Sequence, residues 1–538
     1  MRRRNSATPW WGFCLLLAGA LPPAVAAQAP DAGVYQMLQG TAEIGRESFR
    51  RSAGRFEQEA VIPVINLRVA GSAMRGPNGR FAGFSATLSN AAGDSSRGSY
   101  RAAVVGDSVR ITSQLGTAVV DRVRNAAFDA VLPPQSVVSF AELVTLAQRH
   151  DTTFRLLVAG ADTVLPATLR FSGDSVRIAF AGLELLALLD GARVSSIEIP
   201  AQRVRVVRAK APDSLPALTG LHRPVPDYSA PANAPFTATE VRVPAGAGSD
   251  TFSLGCTLTV PRKGHRPFPA AVTITGSGSQ PRDEELWPLV RDYRLFGQVA
   301  ERLGAEGIAV LRCDDRGMAG STGHADSATT AELANDTRAQ VAWLRARAEI
   351  DPAKIAFVGH SEGGMIGPLL AAQDRRIAAV VVMAGPAKPG VEVLVDQARW
   401  PVLSTPGMSP EERRTRLAEV EAAVRRDSLP ANPWMRWFRH YDPIRAAKLV
   451  RQPTLILQGA LDRQVSAGQA DSLAAAMRQG GNRDVTVRVF PRLNHLFLVS
   501  ETDGSPAEYA VLRDEHVPDD VLSALARWLA VRLGTATK

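Results

Sequence analysis

The first part of the chain alternates short apolar runs with polar turns. From about residue 31 to 210 the runs of β-branched and aliphatic residues are only a few positions long, and Gly-Asp pairs at 106–107 and 173–174 each separate two of them. A two-residue turn that tolerates positive φ, placed between two such runs, predicts a β-hairpin. A helical pattern is present only at about 140–149. We therefore predict an antiparallel β-rich module over residues 27–210.

A proline-rich segment follows this module. Six prolines lie between residues 211 and 236, which is too many for a packed element and enough to hold the chain extended. We predict a linker over 211–235 and a second domain over 236–538.

In the second domain the pattern becomes strand, loop and helix. The predicted strands are 270–275, 308–312, 355–358, 378–383, 454–457 and 485–490, and the helices between them include 295–303, 331–347 and 465–477. Strands that alternate with helices imply a mostly parallel sheet with helices on both faces. Two earlier runs, 239–243 and 252–260, are expected to open the sheet as an antiparallel edge.

The first 26 residues have the organisation of a secretory signal peptide. Three arginines at 2–4 precede an apolar run at 10–21, and the small residues Ala-Val-Ala follow at 24–26. The apolar run is short for a bilayer span, and the small-residue site after it favours cleavage over retention as an anchor. We expect a secreted or periplasmic protein without a stable membrane anchor.

The basic residues outnumber the acidic ones but are dispersed. There are 62 Lys and Arg against 53 Asp and Glu, and only six of the basic residues are lysines. No run of five basic residues and no basic stretch interleaved with aromatic residues occurs, so the excess is typical of solvated surface charge and we predict no nucleic-acid partner. With 45% hydrophobic and 21% charged residues, the composition excludes a disordered or polytopic membrane protein.

Two cysteines follow the signal segment. Cys256 and Cys313 both fall in strand-like runs. An oxidising compartment permits a disulfide between them, whereas buried free thiols are common in such runs. The sequence favours two free thiols and leaves the disulfide open.

One pentapeptide indicates nucleophilic chemistry. Gly359-His360-Ser361-Glu362-Gly363 follows the predicted strand 355–358 and precedes a helical run. This is a G-x-S-x-G sequence in a strand, turn and helix setting, where the glycines allow a sharp turn that lifts a serine hydroxyl above the sheet. Ser361 is therefore the candidate nucleophile.

A serine nucleophile needs a histidine to remove its proton and a carboxylate to orient that histidine. Asp462 follows the predicted strand 454–457 and His495 follows 485–490, so both belong at the carboxyl edge of the sheet. We assign Asp462 as the acid and His495 as the base.

Other assignments of these side chains stay open. Asp462 alternatively caps the helix beginning near 465, and His495 alternatively is a structural loop residue. Asp314 and Asp315 are expected to hold a loop through Arg316. The remaining candidates are His324, His360, His440 and His516 for the base and Asp314, Asp315 and Asp442 for the acid.

The loop after the predicted strand 270–275 is a candidate oxyanion loop. It reads Gly276-Ser277-Gly278-Ser279, and small residues let the backbone approach a substrate carbonyl. Acyl transfer uses backbone N–H donors to stabilise the tetrahedral oxyanion. We assign the N–H groups of Glu362 and Ser277 as the oxyanion donors. Gly278 is the second choice for the donor from this loop.

Four segments of the second domain resemble secreted bacterial α/β-hydrolase esterases, which are related to the serine aminopeptidase, prolyl oligopeptidase and dienelactone hydrolase branches. The segments are Thr275–Asp283, Arg312–Gly317, Gly359–Gly364 and Leu493–Phe497. The resemblance covers about 236–538 and implies an α/β-hydrolase fold and a carboxylic ester hydrolase for small acyl esters, with Ser361, Asp462 and His495 as triad. A serine peptidase of aminopeptidase or acylaminoacyl type is the alternative, followed by a non-catalytic ligand-binding protein. No metal or organic cofactor is implied.

The stretch between the strand ending near 383 and Asp462 is longer than a plain connection needs. Residues 410–426 read as a charged amphipathic helix, and aromatic residues cluster around it. These are Trp400, Trp434, Trp437, Phe438 and Tyr441. We predict a helical cap over about 386–447 whose aromatic residues line an acyl or aryl pocket, each of them alternatively packing the cap on the body.

Overall fold

The computed structural model describes most of the chain between residues 31 and 535. The gaps are 41, 64–66, 77–78, 92, 94–95, 116–117, 126–127, 134–135, 160–162, 181–182, 210–225, 249, 287–289, 291–292, 326–327, 406, 427–432 and 513–515. The predicted signal segment and most of the predicted linker therefore lie outside the described residues. None of the helices in the described part is both long enough and apolar enough to cross a bilayer.

The N-terminal region forms one sheet of fifteen strands. The strands are β1 (Asp31–Gln39), β2 (Ala42–Ser52), β3 (Arg55–Ile62), β4 (Leu67–Arg75), β5 (Phe81–Ser89), β6 (Ser96–Val105), β7 (Ser108–Leu115), β8 (Ala118–Asn125), β9 (Ala130–Leu132), β10 (Thr152–Val158), β11 (Thr163–Ser172), β12 (Ser175–Phe180), β13 (Leu183–Asp190), β14 (Arg193–Ile199) and β15 (Val204–Ala209). The sheet runs from β8 back to β1 and then from β15 back to β9. Only β9 and β10 pair in parallel, so the predicted antiparallel β-rich region is confirmed.

Both predicted hairpins form, for the predicted reason. β6 and β7 flank Gly106, and β11 and β12 flank Gly173. These glycines have φ values of 60° and 58°, a conformation that residues with a Cβ rarely adopt. The turn chemistry visible in the sequence therefore sets the strand register here.

One helix, α1 (Val138–Leu146), packs on this sheet. Its first N–H groups, from Val137 and Val138, donate to the buried Glu47 carboxylate at 2.8 and 2.7 Å. The apolar residues of the region form two main clusters, one around α1, β1 to β3 and β10 to β15, the other around β4 to β7. Ala73 packs against both clusters, so it marks the seam between them.

The C-terminal region forms a second sheet of eight strands. These are β16 (Phe236–Ala245), β17 (Phe252–Pro261), β18 (Phe268–Ile274), β19 (Ala309–Cys313), β20 (Ile350–His360), β21 (Ile377–Met383), β22 (Thr454–Gly459) and β23 (Val485–Phe490). The order is β16-β17-β19-β18-β20-β21-β22-β23. β17 is antiparallel to both neighbours, and the strands from β19 onward in the sheet are parallel. The predicted mostly parallel sheet with an antiparallel edge is confirmed.

Helices cover both faces of this sheet. They are α2 (Leu295–Ala305), α3 (Thr330–Arg345), α4 (Gly363–Gln373), α5 (Gly390–Ser404), α6 (Pro410–Arg425), α7 (Pro433–His440), α8 (Pro443–Ala447), α9 (Gly468–Gln479) and α10 (Asp519–Leu533). Ala271 packs in the cluster with α2 and α10, whereas its neighbour Val272 packs in the cluster with α3, α4 and α9. Successive strand residues point to opposite faces, so the two apolar cores lie on either side of the sheet.

The two cysteines meet across the antiparallel edge. Cys256 on β17 pairs directly with Cys313 on β19, and the two sulfur atoms are joined. The preference for two free thiols was therefore wrong, because the register of β17 against β19 could not be known from the strand runs alone.

The connection between β21 and β22 carries α5 to α8, as expected of a helical cap. None of the residues of α6 is fully buried, but the half-buried residues recur every three or four positions along one face, at 413, 416, 417, 420, 421 and 424. Its first turn holds Glu411 and Glu412, and its N-cap is Ser409, whose hydroxyl accepts the Glu412 N–H at 3.2 Å. The half-buried face and the charged exposed face agree with the predicted charged amphipathic helix.

Candidate active site

Ser361 lies at the sharp turn between β20 and α4, with a φ of 52°. This left-handed conformation is strained for serine. The flanking glycines permit it: a Cβ on Gly359 would come within 2.1 Å of the Gly363 carbonyl oxygen, and one on Gly363 within 2.0 Å of that of Ile274. The turn thus needs glycine at both positions, which explains the pentapeptide.

Asp462 and His495 are in direct contact at the carboxyl ends of β22 and β23. His495 Nδ1 is 2.8 Å from Asp462 Oδ2, and both side chains are buried. Asp462 Oδ1 accepts the N–H groups of Gln464 and Val465, each at 2.8 Å. The carboxylate therefore orders its own turn with one oxygen and contacts the histidine with the other.

His360, the variable position of the pentapeptide, bridges two loops. Its Nδ1 lies 2.9 Å from Glu284 Oε2, and its Nε2 lies 2.9 Å from the carbonyl oxygen of His495. Burial alone would lower the pKa of His360, but Glu284 and the His495 carbonyl outweigh it and raise the pKa above its usual value. His360 therefore connects the Ser361 turn both to Glu284 and to the loop that carries His495.

The loop after β18 approaches the serine closely. A Cβ on Gly276 would be 3.3 Å from Ser361 Cβ, and the Gly276 N–H donates to Glu284. Ser277 lines the same cavity as Ser361 and Glu362. Gly278, at φ 91°, is absent from the lining among the described residues.

Buried ion pairs hold this loop against the one after β19. Arg282 Nη2 is 2.7 Å from Asp314 Oδ2, and Arg312 pairs with Asp283. Arg316, by contrast, pairs with Asp336 at 2.6 Å. The expectation that Asp314 and Asp315 act through Arg316 was wrong, because Arg316 points towards α3.

Asp315 holds the same loop without a guanidinium. Its Oδ1 accepts the Thr275 hydroxyl at 2.8 Å and its Oδ2 accepts the Gln280 N–H at 2.8 Å. Asp442 instead caps α8 by accepting the Ile444 N–H at 3.0 Å. Neither alternative acid contacts His495.

The Glu362 side chain joins the nucleophile turn to the cap. Its carboxylate accepts the Thr330 hydroxyl at 2.5 Å and the Trp434 Nε1–H at 2.8 Å. Burial raises the pKa of Glu362 above its usual value, and the hydrogen bonds from Thr330, Trp434 and Ser277 oppose that rise. Glu362, which was assigned for its backbone N–H, therefore also holds neighbouring elements together through its side chain.

One cavity of about 380 Å³ collects these groups. Its polar wall includes Ser277, Ser361, Glu362 and His495. Its apolar wall comprises Leu286, Tyr293, Pro386, Val393, Leu394, Trp434, Phe438, Val465, Leu496, Pro506 and Tyr509. Of the five cap aromatics, Trp434 and Phe438 line the cavity, with their rings stacked at 4.9 Å.

The other cap aromatics pack elsewhere. Trp437 stacks on Tyr441 at 4.4 Å, and Trp400 lies under the Arg463 guanidinium at 4.1 Å. Trp400 therefore packs the predicted cap on the body, whereas Trp437 and Tyr441 pack on each other within the predicted cap.

Sequence reasoning missed two kinds of residue here. Glu284 stands near the Arg282-Asp283 segment of the resemblance, but nothing local marks its contact with a histidine 76 positions away. Gln39, on β1 of the N-terminal sheet, also lines the cavity, and its Nε2 donates to the Gln202 carbonyl at 3.1 Å. The N-terminal region therefore contributes to the wall of this cavity.

Comparison with known proteins bears on the fold. A family model described as serine aminopeptidase, S33, matches residues 289–503, which include Ser361, Asp462 and His495. Together with the strand order and the serine turn, this match decides the fold class. The C-terminal region is an α/β-hydrolase domain.

The chain is also similar to individual proteins. Esterase EstD of Thermotoga maritima is 29% identical over 280 residues, which is 51% of this chain and 64% of that protein. An uncharacterised protein of Mycobacterium tuberculosis is 29% identical over 189 residues, 34% of this chain and 53% of that one. The chain thus spans less than two thirds of the length of these relatives.

Solved structures also resemble part of the chain. An esterase of Pyrococcus furiosus has a TM-score of 0.40 and 17% identity, covering 58% of this chain and 97% of its own. Est1E of Butyrivibrio proteoclasticus, solved with ferulic acid, has a TM-score of 0.35 and 17% identity, covering 55% of this chain and 99% of its own.

Proposed function

We propose that the chain is a serine esterase in which Ser361, His495 and Asp462 form the catalytic triad. The observation that carries the proposal is the buried contact of 2.8 Å between His495 Nδ1 and Asp462 Oδ2, beside a serine held at a φ of 52° on the same cavity. That combination of nucleophile, base and orienting carboxylate is the requirement for acyl transfer by a serine.

In the proposed mechanism Ser361 Oγ attacks the ester carbonyl while His495 Nε2 takes its proton. Asp462 keeps the His495 Nδ1–H tautomer and stabilises the imidazolium. The imidazolium then protonates the leaving alcohol, so that an acyl-enzyme remains. A water molecule, deprotonated by His495, releases the carboxylic acid and restores Ser361.

The oxyanion of the tetrahedral intermediate is proposed to bind the N–H groups of Glu362 and Ser277. The Gly276 N–H is engaged by Glu284, which leaves the next residue of the loop to face the substrate. Gly278 is disfavoured as a donor since it does not line the cavity in the described part of the chain. Preorganised N–H donors of this kind stabilise developing charge strongly in a site that excludes water.

The cavity supports small, apolar acyl or aryl esters as substrates. It offers about 380 Å³ and is walled by aliphatic and aromatic side chains, including Val393, Leu394 and Phe438. Apolar walls with few polar groups are typical of pockets for small molecules. The natural ester is to be found with a panel of p-nitrophenyl esters from acetate to octanoate.

A serine peptidase is the second candidate, because the matching family model is described as a serine aminopeptidase. An aminopeptidase must hold the α-ammonium of its substrate with an acceptor group. The carboxylates on the described lining are Glu284 and Glu362, and both are occupied, Glu284 by His360 and Gly276, Glu362 by Thr330 and Trp434. This occupancy favours ester over aminoacyl substrates.

The deciding experiment compares kcat/KM for p-nitrophenyl butyrate and alanyl p-nitroanilide. We expect the ester to be faster, and a faster amide would replace the esterase proposal by a peptidase. Ser361→Ala should lower ester turnover by about 10⁴-fold or more, whereas Ser472→Ala, on an exposed face of α9, should not change it. Full activity of Ser361→Ala would refute the assignment of Ser361 as the nucleophile. If the wild type turned over neither substrate, a non-catalytic binding protein would be favoured.

We also propose that the protein is exported. The support is the charged, apolar and small-residue order of residues 1–26, and a Cys256–Cys313 disulfide is compatible with an oxidising compartment. Sequencing of the mature N-terminus should find cleavage after Ala26. Recovery of the uncleaved chain from the cytoplasmic fraction would contradict export.

A further inference from the structure

The N-terminal sheet contains a cavity that the esterase chemistry does not use. It measures about 420 Å³, slightly larger than the hydrolase cavity. It lies at the seam of the two apolar clusters of this region, between α1 and strands β3 to β5, with Ala73 on its wall. Protein interiors are close-packed and rarely leave voids of more than a water molecule, so a cavity of this size is in the range of ligand sites.

The interior of the cavity is apolar. Phe56, Phe84, Leu143 and Leu156 are buried side chains on its wall. They come from β3, β5, α1 and β10, so both apolar clusters contribute. A chain of methylene groups, or a small aryl group, would complete the packing that the two clusters leave open between them.

The charged groups on the wall are unequally compensated. Glu142 Oε2 accepts Arg51 Nε at 2.7 Å, and Arg55 pairs with Glu57 at 2.8 Å. Arg75 differs, because its Nη1 donates only to backbone carbonyl oxygens, those of Gly79 at 3.0 Å and Asp129 at 3.5 Å. In the described part of the chain Arg75 makes no ion pair.

Arg75 is therefore a half-buried guanidinium next to an apolar cavity. Burial lowers the pKa of Arg75, and the more distant carboxylates of Glu142 and Asp129 offset that only in part. A carboxylate, phosphate or sulfate at this point would supply the missing charge in a short, charge-assisted contact.

We propose that this cavity binds a single-chain amphiphile with an anionic head, the head on Arg75 and the chain between Phe56, Phe84 and Leu143. The site is distinct from the hydrolase cavity and needs no turnover, so it goes beyond the proposed esterase function. It gives the N-terminal region a binding function.

Photoaffinity mapping tests the location on the unmodified mature protein. A decanoic acid analogue carrying a diazirine in its chain is irradiated with the full chain, and the adducts are mapped by peptide mass spectrometry. We expect adducts on peptides that contain Phe56, Phe84 or Leu143, and these should disappear with excess decanoate. Adducts only on the hydrolase cavity, for example at Val393 or Trp434, or no adducts at all, would overturn the proposal.

The role of Arg75 is tested by selectivity. Calorimetric titration compares decanoate, decyl phosphate and decanol on the wild type, Arg75→Met and Arg110→Met. Arg75→Met should lower the affinity for both anions about tenfold or more and leave the affinity for decanol unchanged. Arg110→Met is the matched control, because Arg110 is exposed on β7 and paired with Asp121. A parallel loss for decanol, or the same loss in Arg110→Met, would contradict the head-group contact.

The relative affinities of the two anions also distinguish two classes of natural ligand. Tighter binding of decanoate identifies a free carboxylic acid, and tighter binding of decyl phosphate identifies a phospholipid-like amphiphile. Ala73→Phe, which fills the seam, should abolish binding of all three probes and leave p-nitrophenyl butyrate turnover unchanged. Retained binding in a folded Ala73→Phe protein would place the ligand elsewhere and refute the cavity.

Discussion

The two regions of this chain both enclose a cavity, but they build it differently. The hydrolase cavity of about 380 Å³ is made largely by loops at the carboxyl ends of parallel strands. Its lining includes Ser361 and two histidines, His495 and His360, each of which contacts a carboxylate. The N-terminal cavity of about 420 Å³ is made mainly by side chains on the faces of antiparallel strands and on α1. The described part of its wall has charged groups but no paired histidine and carboxylate. The first arrangement supports bond-breaking chemistry, whereas the second supports binding.

This contrast decides what each region reveals in its sequence. A loop that turns sharply beside a reacting atom needs glycine at fixed neighbouring positions, as at Gly359 and Gly363. A cavity on a sheet face needs only apolar residues contributed by several strands, such as Phe56, Phe84 and Leu156. The sharp turn therefore leaves a local motif, whereas the cavity on the sheet face leaves only the alternating pattern of an ordinary amphipathic strand.

After the change at Ser361, the largest effect expected of a single change that keeps the fold is at Asp462. Asp462→Asn should lower kcat for p-nitrophenyl butyrate by about 10⁴-fold, since the amide favours the wrong His495 tautomer. The melting temperature should change little, because an amide oxygen can still accept the N–H groups of Gln464 and Val465.

The matched control for that change is Asp442→Asn, which alters a helix cap outside the cavity. It should retain nearly full activity. Equal losses in the two variants would mean that Asp462 acts through the fold and not through His495, and the distinction between a catalytic and a binding region would weaken.

The N-terminal region should show its own pH dependence through Glu47. Burial raises the pKa of Glu47 from 4.5 to about 7, although two helix N–H groups oppose this. The folded state therefore holds a proton that the unfolded state releases, so its stabilisation is complete below about pH 4.5 and is lost as the pH rises through about 7. The loss amounts to roughly 3 kcal/mol at most.

Glu47→Gln should remove this loss. We expect the variant to match the wild type near pH 4.5 and to be more stable at pH 8. The region has no tryptophan between residues 27 and 210, so hydrogen exchange of peptides covering α1 is the measurement. Glu57→Gln, at a more exposed site on β3, is the control, and an unchanged pH profile in Glu47→Gln would show that Glu47 is ionised in the folded state.

The sequence allowed the proposed triad residues to be assigned but not the residues that support them. Ser361, Asp462 and His495 each follow a recognisable strand, so their meeting at one sheet edge could be anticipated. Glu284 and Trp434 contact residues 76 and 72 positions away, and such contacts depend on how loops and cap pack. The Cys256–Cys313 bond was missed for the same reason, because it rests on a strand register.

Disrupting the bridge at Glu284 should affect the hydrolase domain more at low pH. The raised pKa of His360 means that its charged pair with Glu284 contributes stability that is complete below about pH 6.5 and is lost as the pH rises through the raised value. Glu284→Gln should therefore cost about 2 kcal/mol below that pH, the value of a hydrogen bond to a charged group, with a smaller cost above it.

Urea unfolding followed by tryptophan fluorescence measures this, because every tryptophan among the described residues is in the hydrolase domain. Glu301→Gln, exposed on α2, serves as the control. A cost that is constant between pH 5 and 9 would show that the His360 contact is a neutral hydrogen bond.

The smallest effect expected is on the contact between the cap and the nucleophile turn. Trp434→Phe keeps an aromatic ring beside Phe438 but removes the N–H that the buried Glu362 carboxylate accepts. A buried acceptor that loses one of three donors should cost about 1 kcal/mol, and kcat/KM for p-nitrophenyl butyrate should fall several-fold. Trp437→Phe, whose ring stacks on Tyr441, should change neither quantity as much.

Because the proposed N-terminal site shares no residue with this contact, decanoate binding should be the same in both variants. A change in decanoate affinity in Trp434→Phe would mean that the two cavities are coupled, and the separation of a catalytic region from a binding region would then fail.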